Sequence, residues 1–160
     1  MKTPKKTWRA KLADDKGFPQ VYPIDAAKSK RWGTGTFVIP APREVDEIMK
    51  QVPKGKLITI DAIGKILAEK HDATIGCPLT TGIFAWIAAH AADEAARDGK
   101  IRITPYWRTI KAKGELNPKY PGGIEGLKQK LGAEGHKVVQ RGKRYFVENF
   151  EPQLYRGVSG

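Results

Sequence analysis

The sequence predicts a mainly α fold with a small β-hairpin, an α+β winged helix-turn-helix. Three observations predict it: two short apolar-periodic helices separated by a few residues, a basic hairpin signature downstream of them, and a strong excess of positive charge. The 160 residues hold 29 Lys+Arg against 17 Asp+Glu, a formal charge of +12. Such an excess favours a polyanion as partner, and nucleic acid is the natural candidate. The length suits one domain that buries its core without disulfide or metal support.

Residues 1–36 are rich in Lys, Pro and Gly and show no sustained period, so they read as a basic arm. Its cations include Lys2, Lys5, Lys6, Arg9, Lys11, Lys28, Lys30 and Arg31, whereas the pair Asp93 and Glu94 is acidic. Trp8, Phe18, Tyr22 and Trp32 are more aromatic content than a pure linker carries, and leave two expectations open: an extended arm, or a layer packed on the domain.

The domain is expected over 37–150. After Pro42, the positions Val45, Ile48, Met49 and Val52 give one apolar helix face, which ends at Pro53-Lys54-Gly55-Lys56. A second helix is expected from Ile60 to His71, with Ile63, Ile66 and Leu67 inward and Thr59 or Asp61 as its cap. A third should start at Pro78 and run to Ala96, with Leu79, Ile83, Phe84, Ile87 and Ala91 inward. Only Asp72 to Cys77 separate the last two, the layout of a helix-turn-helix whose second helix, opening with Thr80 and Thr81, enters a DNA groove.

Residues 101–123 read as a loop, and a final helix places Ile124, Leu127 and Leu131 inward. Lys137-Val138-Val139-Gln140 and Arg144-Tyr145-Phe146-Val147 flank Arg141-Gly142-Lys143, a hairpin with a basic tip. Arg141, Lys143 and Arg144 are therefore candidate phosphate contacts, and 151–160 reads as a tail.

Cys77 is the single cysteine, so neither an intramolecular disulfide nor a Cys-rich zinc site is expected. His71, His90 and His136 are too scattered for a ligand motif, and no metal or cofactor is expected. No apolar run suits a membrane span or a signal peptide, which points to a cytoplasmic protein without a membrane partner.

Several ordered motifs carry a resemblance. They are Val52-Pro53-Lys54-Gly55-Lys56-Leu57-Ile58-Thr59, Ile103-Thr104-Pro105-Tyr106-Trp107-Arg108-Thr109-Ile110, Gly114-Glu115-Leu116, Lys119-Tyr120-Pro121-Gly122-Gly123 and Leu131-Gly132-Ala133-Glu134-Gly135. Over roughly residues 43 to 140 the chain resembles the C-terminal domain of the alkylguanine DNA alkyltransferases. In that family a cysteine takes an alkyl group from a flipped guanine once, activated by a histidine and a glutamate. Here Tyr106 stands at the acceptor position and Trp107 at the histidine position, while Pro105, Arg108, Tyr120, Gly122, Gly123 and Glu134 match. The non-catalytic alkyltransferase-like proteins, which bind lesions without repairing them, are the nearer comparison.

The resemblance implies a non-enzymatic protein that binds double-stranded DNA and senses alkylation damage, as a monomer that hands damage to other repair proteins. It makes Thr80, Thr81 and Arg108 candidate DNA contacts beside the hairpin cations, and Tyr106, Trp107, Tyr120, Gly122, Gly123 and Glu134 candidates for a base pocket. The three aromatics either stack a base or fill the volume of a former catalytic centre. Ile60 matches the place of the family's base-rotating tyrosine, and Thr81 falls near its stack-filling arginine, so weak lesion discrimination is expected. Two alternatives stay open: a protein-interaction or RNA-binding module on a degenerate alkyltransferase fold, and a methyltransferase that uses Cys77.

Overall fold

The computed structural model describes residues 6–158, so the sequence's Lys2 and Lys5 lie outside the described residues. The segment that precedes the expected domain is not extended. α1 (Trp8–Ala13) is capped by the Thr7 hydroxyl, and the Glu94 carboxylate accepts the N–H groups of Trp8 and Arg9 at 3.1 and 3.3 Å. Those two donors are unpaired within any helix start, so a carboxylate from another element ties α1 down. β1 (Gln20–Pro23) follows, then α2 (Ala26–Trp32), capped by Asp25.

β2 (Thr36–Ile39) pairs antiparallel with β1, Val21 opposite Val38, and parallel with β4 (Ile75–Gly76), Phe37 opposite Ile75. Between β2 and β4 come α3 (Pro42–Lys50), β3 (Ile58–Thr59) and α4 (Ile60–Lys70). The α3 face Val45, Ile48 and Met49, continued by Val52, is at most 1% exposed. Glu44 accepts the Ala41 N–H at 2.9 Å and pairs with Lys70 and His71 at 2.9 and 2.6 Å, which fixes the start of α3 to the end of α4.

α5 (Pro78–Arg97) lies across the centre, with α1 and α3 against it. Phe84, Ile87 and Ala91 are buried as their spacing requires, but Leu79 and Ile83 are not: they are 71% and 41% exposed. The reason is helical spacing: the buried face of α5 is set by Thr81, Phe84, Ala85, Ala88 and Ala92, and Leu79 and Ile83 fall on the opposite side, beside Trp86. A short 3-10 turn (Tyr106–Arg108) leads into β5 (Thr109–Ile110), which pairs parallel with β3, and a second 3-10 turn spans Ala112–Gly114.

α6 (Gly123–Ala133) buries Leu127 and Leu131, and β6 (Val138–Arg141) pairs with β7 (Arg144–Val147), Arg141 opposite Arg144. Gly142, at φ 65°, supplies the left-handed backbone of that tight turn. The hairpin packs on α6 and on the Ala112–Gly114 turn. Residues from 151 do not trail away: Leu57 donates to the Gln153 carbonyl at 2.9 Å and accepts from the Tyr155 N–H at 2.8 Å. The architecture is the predicted α+β one. No helix among the described residues is long and apolar enough to cross a membrane.

Candidate nucleic-acid interface

α4 and α5 form the helix-turn-helix. Thr59 is the cap of α4, its hydroxyl accepting the Ala62 N–H at 3.2 Å. The connection is tight because Gly64 and Gly76 cross almost backbone to backbone; a Cβ on Gly76 would lie 2.6 Å from the Gly64 carbonyl oxygen. α5 then begins with Cys77 as its cap residue, which makes no side-chain capping bond, and Pro78 in the first turn. Cys77 itself is buried, 6% exposed.

The two threonines expected at the DNA differ. Thr80 is half-buried, with its hydroxyl 3.5 Å from the Cys77 carbonyl. Thr81 is fully buried and donates to the same carbonyl at 2.7 Å, so it is a helix-start residue without a surface. The solvent face of these turns belongs to Leu79, Gly82 and Ile83 instead.

Beside that face opens a groove of about 490 Å³, lined by Ile60, Pro78, Leu79, Ile83, Trp86 and Tyr120, with Lys111, Lys119, Asn117 and Asp61 among its polar members. Its wall is braced from behind: the Trp86 Nε1–H and the His90 Nε2 both reach the Lys119 carbonyl, at 3.1 and 2.8 Å. A carbonyl only accepts, so this contact places the proton of His90 on Nε2. Trp8 stacks on His90 with ring centroids 4.5 Å apart and meets Trp86 edge-on at 4.8 Å.

Of the six base-pocket candidates, Tyr120 alone lines this groove. Tyr106 is 3% exposed and packs edge-on against Trp107 and Tyr120, at 5.3 and 6.3 Å between centroids. Burial, and the Asp93 carboxylate to a smaller degree, push the Tyr106 phenol above its ordinary 10, and burial pushes Tyr120 far above it. A phenolate is thus even less accessible here than in water. Gly122 and Gly123, at φ 80° and 62°, turn the chain into α6, where the Gly123 N–H donates to the Tyr120 carbonyl at 3.0 Å.

Glu134, Trp107 and Arg108 form a hydrogen-bonded knot, and Trp107 and Arg108 also line a second surface pocket with Lys50 and Arg102. The Glu134 carboxylate accepts Arg108 Nε at 2.9 Å and a second guanidinium N–H at 2.8 Å, the Trp107 Nε1–H at 2.8 Å and the Gly55 N–H at 3.1 Å. Arg108 spends a further N–H on the Val52 carbonyl at 2.7 Å, and only 14% of its side chain is exposed. Burial alone would raise the Glu134 pKa, but the bonds from Arg108, Trp107 and Gly55 outweigh it and hold the carboxyl below its ordinary 4.5.

The hairpin cations Arg141, Lys143 and Arg144 are all exposed. Arg141 lies over the Phe146 ring at 5.2 Å, and Arg144 stands 3.8 Å from Glu115. Through the bond from Leu116 N–H to the Tyr145 carbonyl, at 2.8 Å, the hairpin is joined to the segment that lines the groove. Sequence reading missed the groove itself: Ile83 and Leu79 fit the apolar period of α5 and gave no sign of exposure, and Lys111 and Lys119 sit in an aperiodic stretch. Among the described residues no group of three or more His, Cys, Asp or Glu could hold a metal ion.

The fold and the site define an α+β helix-turn-helix protein whose second helix opens beside an apolar groove, with a basic hairpin next to it. The same fold is found in S. pombe ATL, solved in complex with DNA, with a TM-score of 0.52 and 17% identity over 72% of this chain and 94% of that one. A second structure, of S. pombe Atl1 with damaged DNA containing O6-carboxymethylguanine, has a TM-score of 0.49 and 16% identity over 72% of this chain and 94% of that one. At these identities the likeness is one of fold. No protein-family model matches the chain, and no curated protein matches it by sequence.

Proposed function

We propose that this protein binds double-stranded DNA with the first turns of α5 in a groove, and reads alkylation damage without repairing it. The observation that carries the proposal is the fold shared with S. pombe ATL, a protein whose solved complex contains DNA. The charge agrees with it: the net +12 includes the exposed hairpin cations and the lysines at the rim of the apolar groove. Arg141, Lys143 and Arg144 meet phosphates, which fix register, while the apolar face of α5 meets base edges. Alkyl transfer is outside this proposal, because a buried phenol stands where the motif would need a thiolate. The protein acts in the cytoplasm and passes its lesions to repair proteins.

The test is a titration of duplex DNA, with and without one O6-alkylguanine, at several salt concentrations. Affinity falls as salt rises, with a slope of about 0.9 per phosphate neutralised. Ile60 offers no hydroxyl to a rotating nucleotide, so the preference for the lesion stays below about a hundredfold, roughly 2.7 kcal/mol. Salt-independent binding, or none at low salt, would remove the proposal.

A further inference from the structure

Leu79 and Ile83 lie four residues apart on one face of α5, and are 71% and 41% exposed. Gly82 sits between them, and a Cβ there would meet nothing within 4 Å. The result is an apolar ridge with a flat notch, continuous with Ile60, Pro78 and Trp86 in the groove wall. The other two large exposed apolar residues among those described, Val21 and Ile101, stand on other elements. Single exposed apolar residues need no explanation, but a contiguous apolar surface at the start of a recognition helix does.

What covers it is indicated by its rim. Lys111 and Lys119 line the groove, both exposed, and among the described residues neither pairs with a carboxylate. Asp61 is the one acid in the lining. Apolar tips within a cationic rim suit a ligand with apolar faces and an anionic outline, which describes stacked base pairs between two phosphate strands. Proteins that bind the minor groove frequently insert apolar side chains between base steps, partly unstacking and kinking the duplex.

We infer that Leu79, supported by Ile83, is a wedge that unstacks a base step of the bound duplex. The inference rests on the DNA-binding reading above. The wedge needs no hydroxyl and no arginine from the helix, so it operates although Thr81 is buried. Its insertion brings the sugar-phosphate strands toward Lys111 and Lys119, and the open notch at Gly82 lets the helix backbone approach closely.

The experiment titrates the full chain into duplexes that carry one 2-aminopurine at successive positions, a base whose fluorescence rises when it unstacks. The expected result is a rise confined to one step. Leu79→Ala should lose at least half of that rise while binding weakens by no more than about tenfold, and Leu79→Met, which keeps a long apolar side chain, should retain it. Because Leu79 is mostly solvent-exposed, its thermal unfolding midpoint serves as a check that Leu79→Ala is folded. A full rise with Leu79→Ala, or tight binding by the unaltered protein without any rise, overturns the wedge and leaves DNA binding standing. No duplex binding at all removes both.

Discussion

Glu134 collects donors from two separate stretches of the chain, Gly55 and the adjacent Trp107 and Arg108, and its side chain is 7% exposed. Removing one member of a buried ion pair leaves the other charge without compensation, which costs about 3–5 kcal/mol. Glu134→Ala should therefore lower the unfolding free energy read from urea titration by an amount of that order, while an exposed pair such as Lys28 with Asp25 should contribute almost nothing. Since the folded carboxyl is held below its ordinary 4.5, its contribution is complete above that pH and is lost as pH falls through the folded pKa. Denaturation curves between neutral and acid pH should show this loss, and Glu134→Ala should flatten it. Tyr106 gives a second expectation at this scale. Its phenol is buried and held protonated, so incubation with labelled methylguanine duplex should leave no label on the protein; stoichiometric label on Tyr106 or Cys77 would contradict it. The motif identified Glu134 and Arg108 but not their task, because their burial depends on partners 26 to 79 residues away.

Helices were legible where a period of apolar residues ran for two turns or more, as in α3, α4 and the buried part of α5. The two-residue strands β3, β4 and β5 were not, because two residues carry no periodicity and their parallel partners lie far along the chain. The β6–β7 hairpin was legible because its pairing is local and its turn glycine is explicit. It also carries a prediction. Replacing Arg141, Lys143 and Arg144 together by Ala should reduce the slope of log K against log salt by up to about three units, one for each lost phosphate contact. A thermal melt separates this from unfolding, since all three side chains point to solvent. An unchanged slope would take the hairpin out of the interface.

For the molecule as a whole, the described part of the first 36 residues behaves as a layer of the fold. Trp8, Leu12 and Phe18 pack against the main core, and β1 completes the three-stranded sheet. Composition could not reveal this, because the contacts that order the segment, such as Arg9 and Trp8 with Glu94, span more than 80 residues. Deleting residues 1–35 should therefore expose Phe84 and one edge of β2, and lower the melting temperature substantially rather than trim a passive arm. Far-UV circular dichroism with thermal melting checks this; an unchanged melt would show that the layer is dispensable. The same deletion removes Trp8 from Trp86 and His90, so it should also loosen the groove wall at Lys119.

Leu57 holds both its backbone bonds with Gln153 and Tyr155, and it is completely buried. Those partners are synthesised about 100 residues later, which at 5–20 residues per second is a delay of roughly 5–20 s. During translation the edge beside β3 is therefore an open row of peptide groups next to apolar side chains, and the nascent chain carries it until Tyr155 has cleared the ribosome. A chain cut just before Gln153 would keep that edge available to chaperones and proteases.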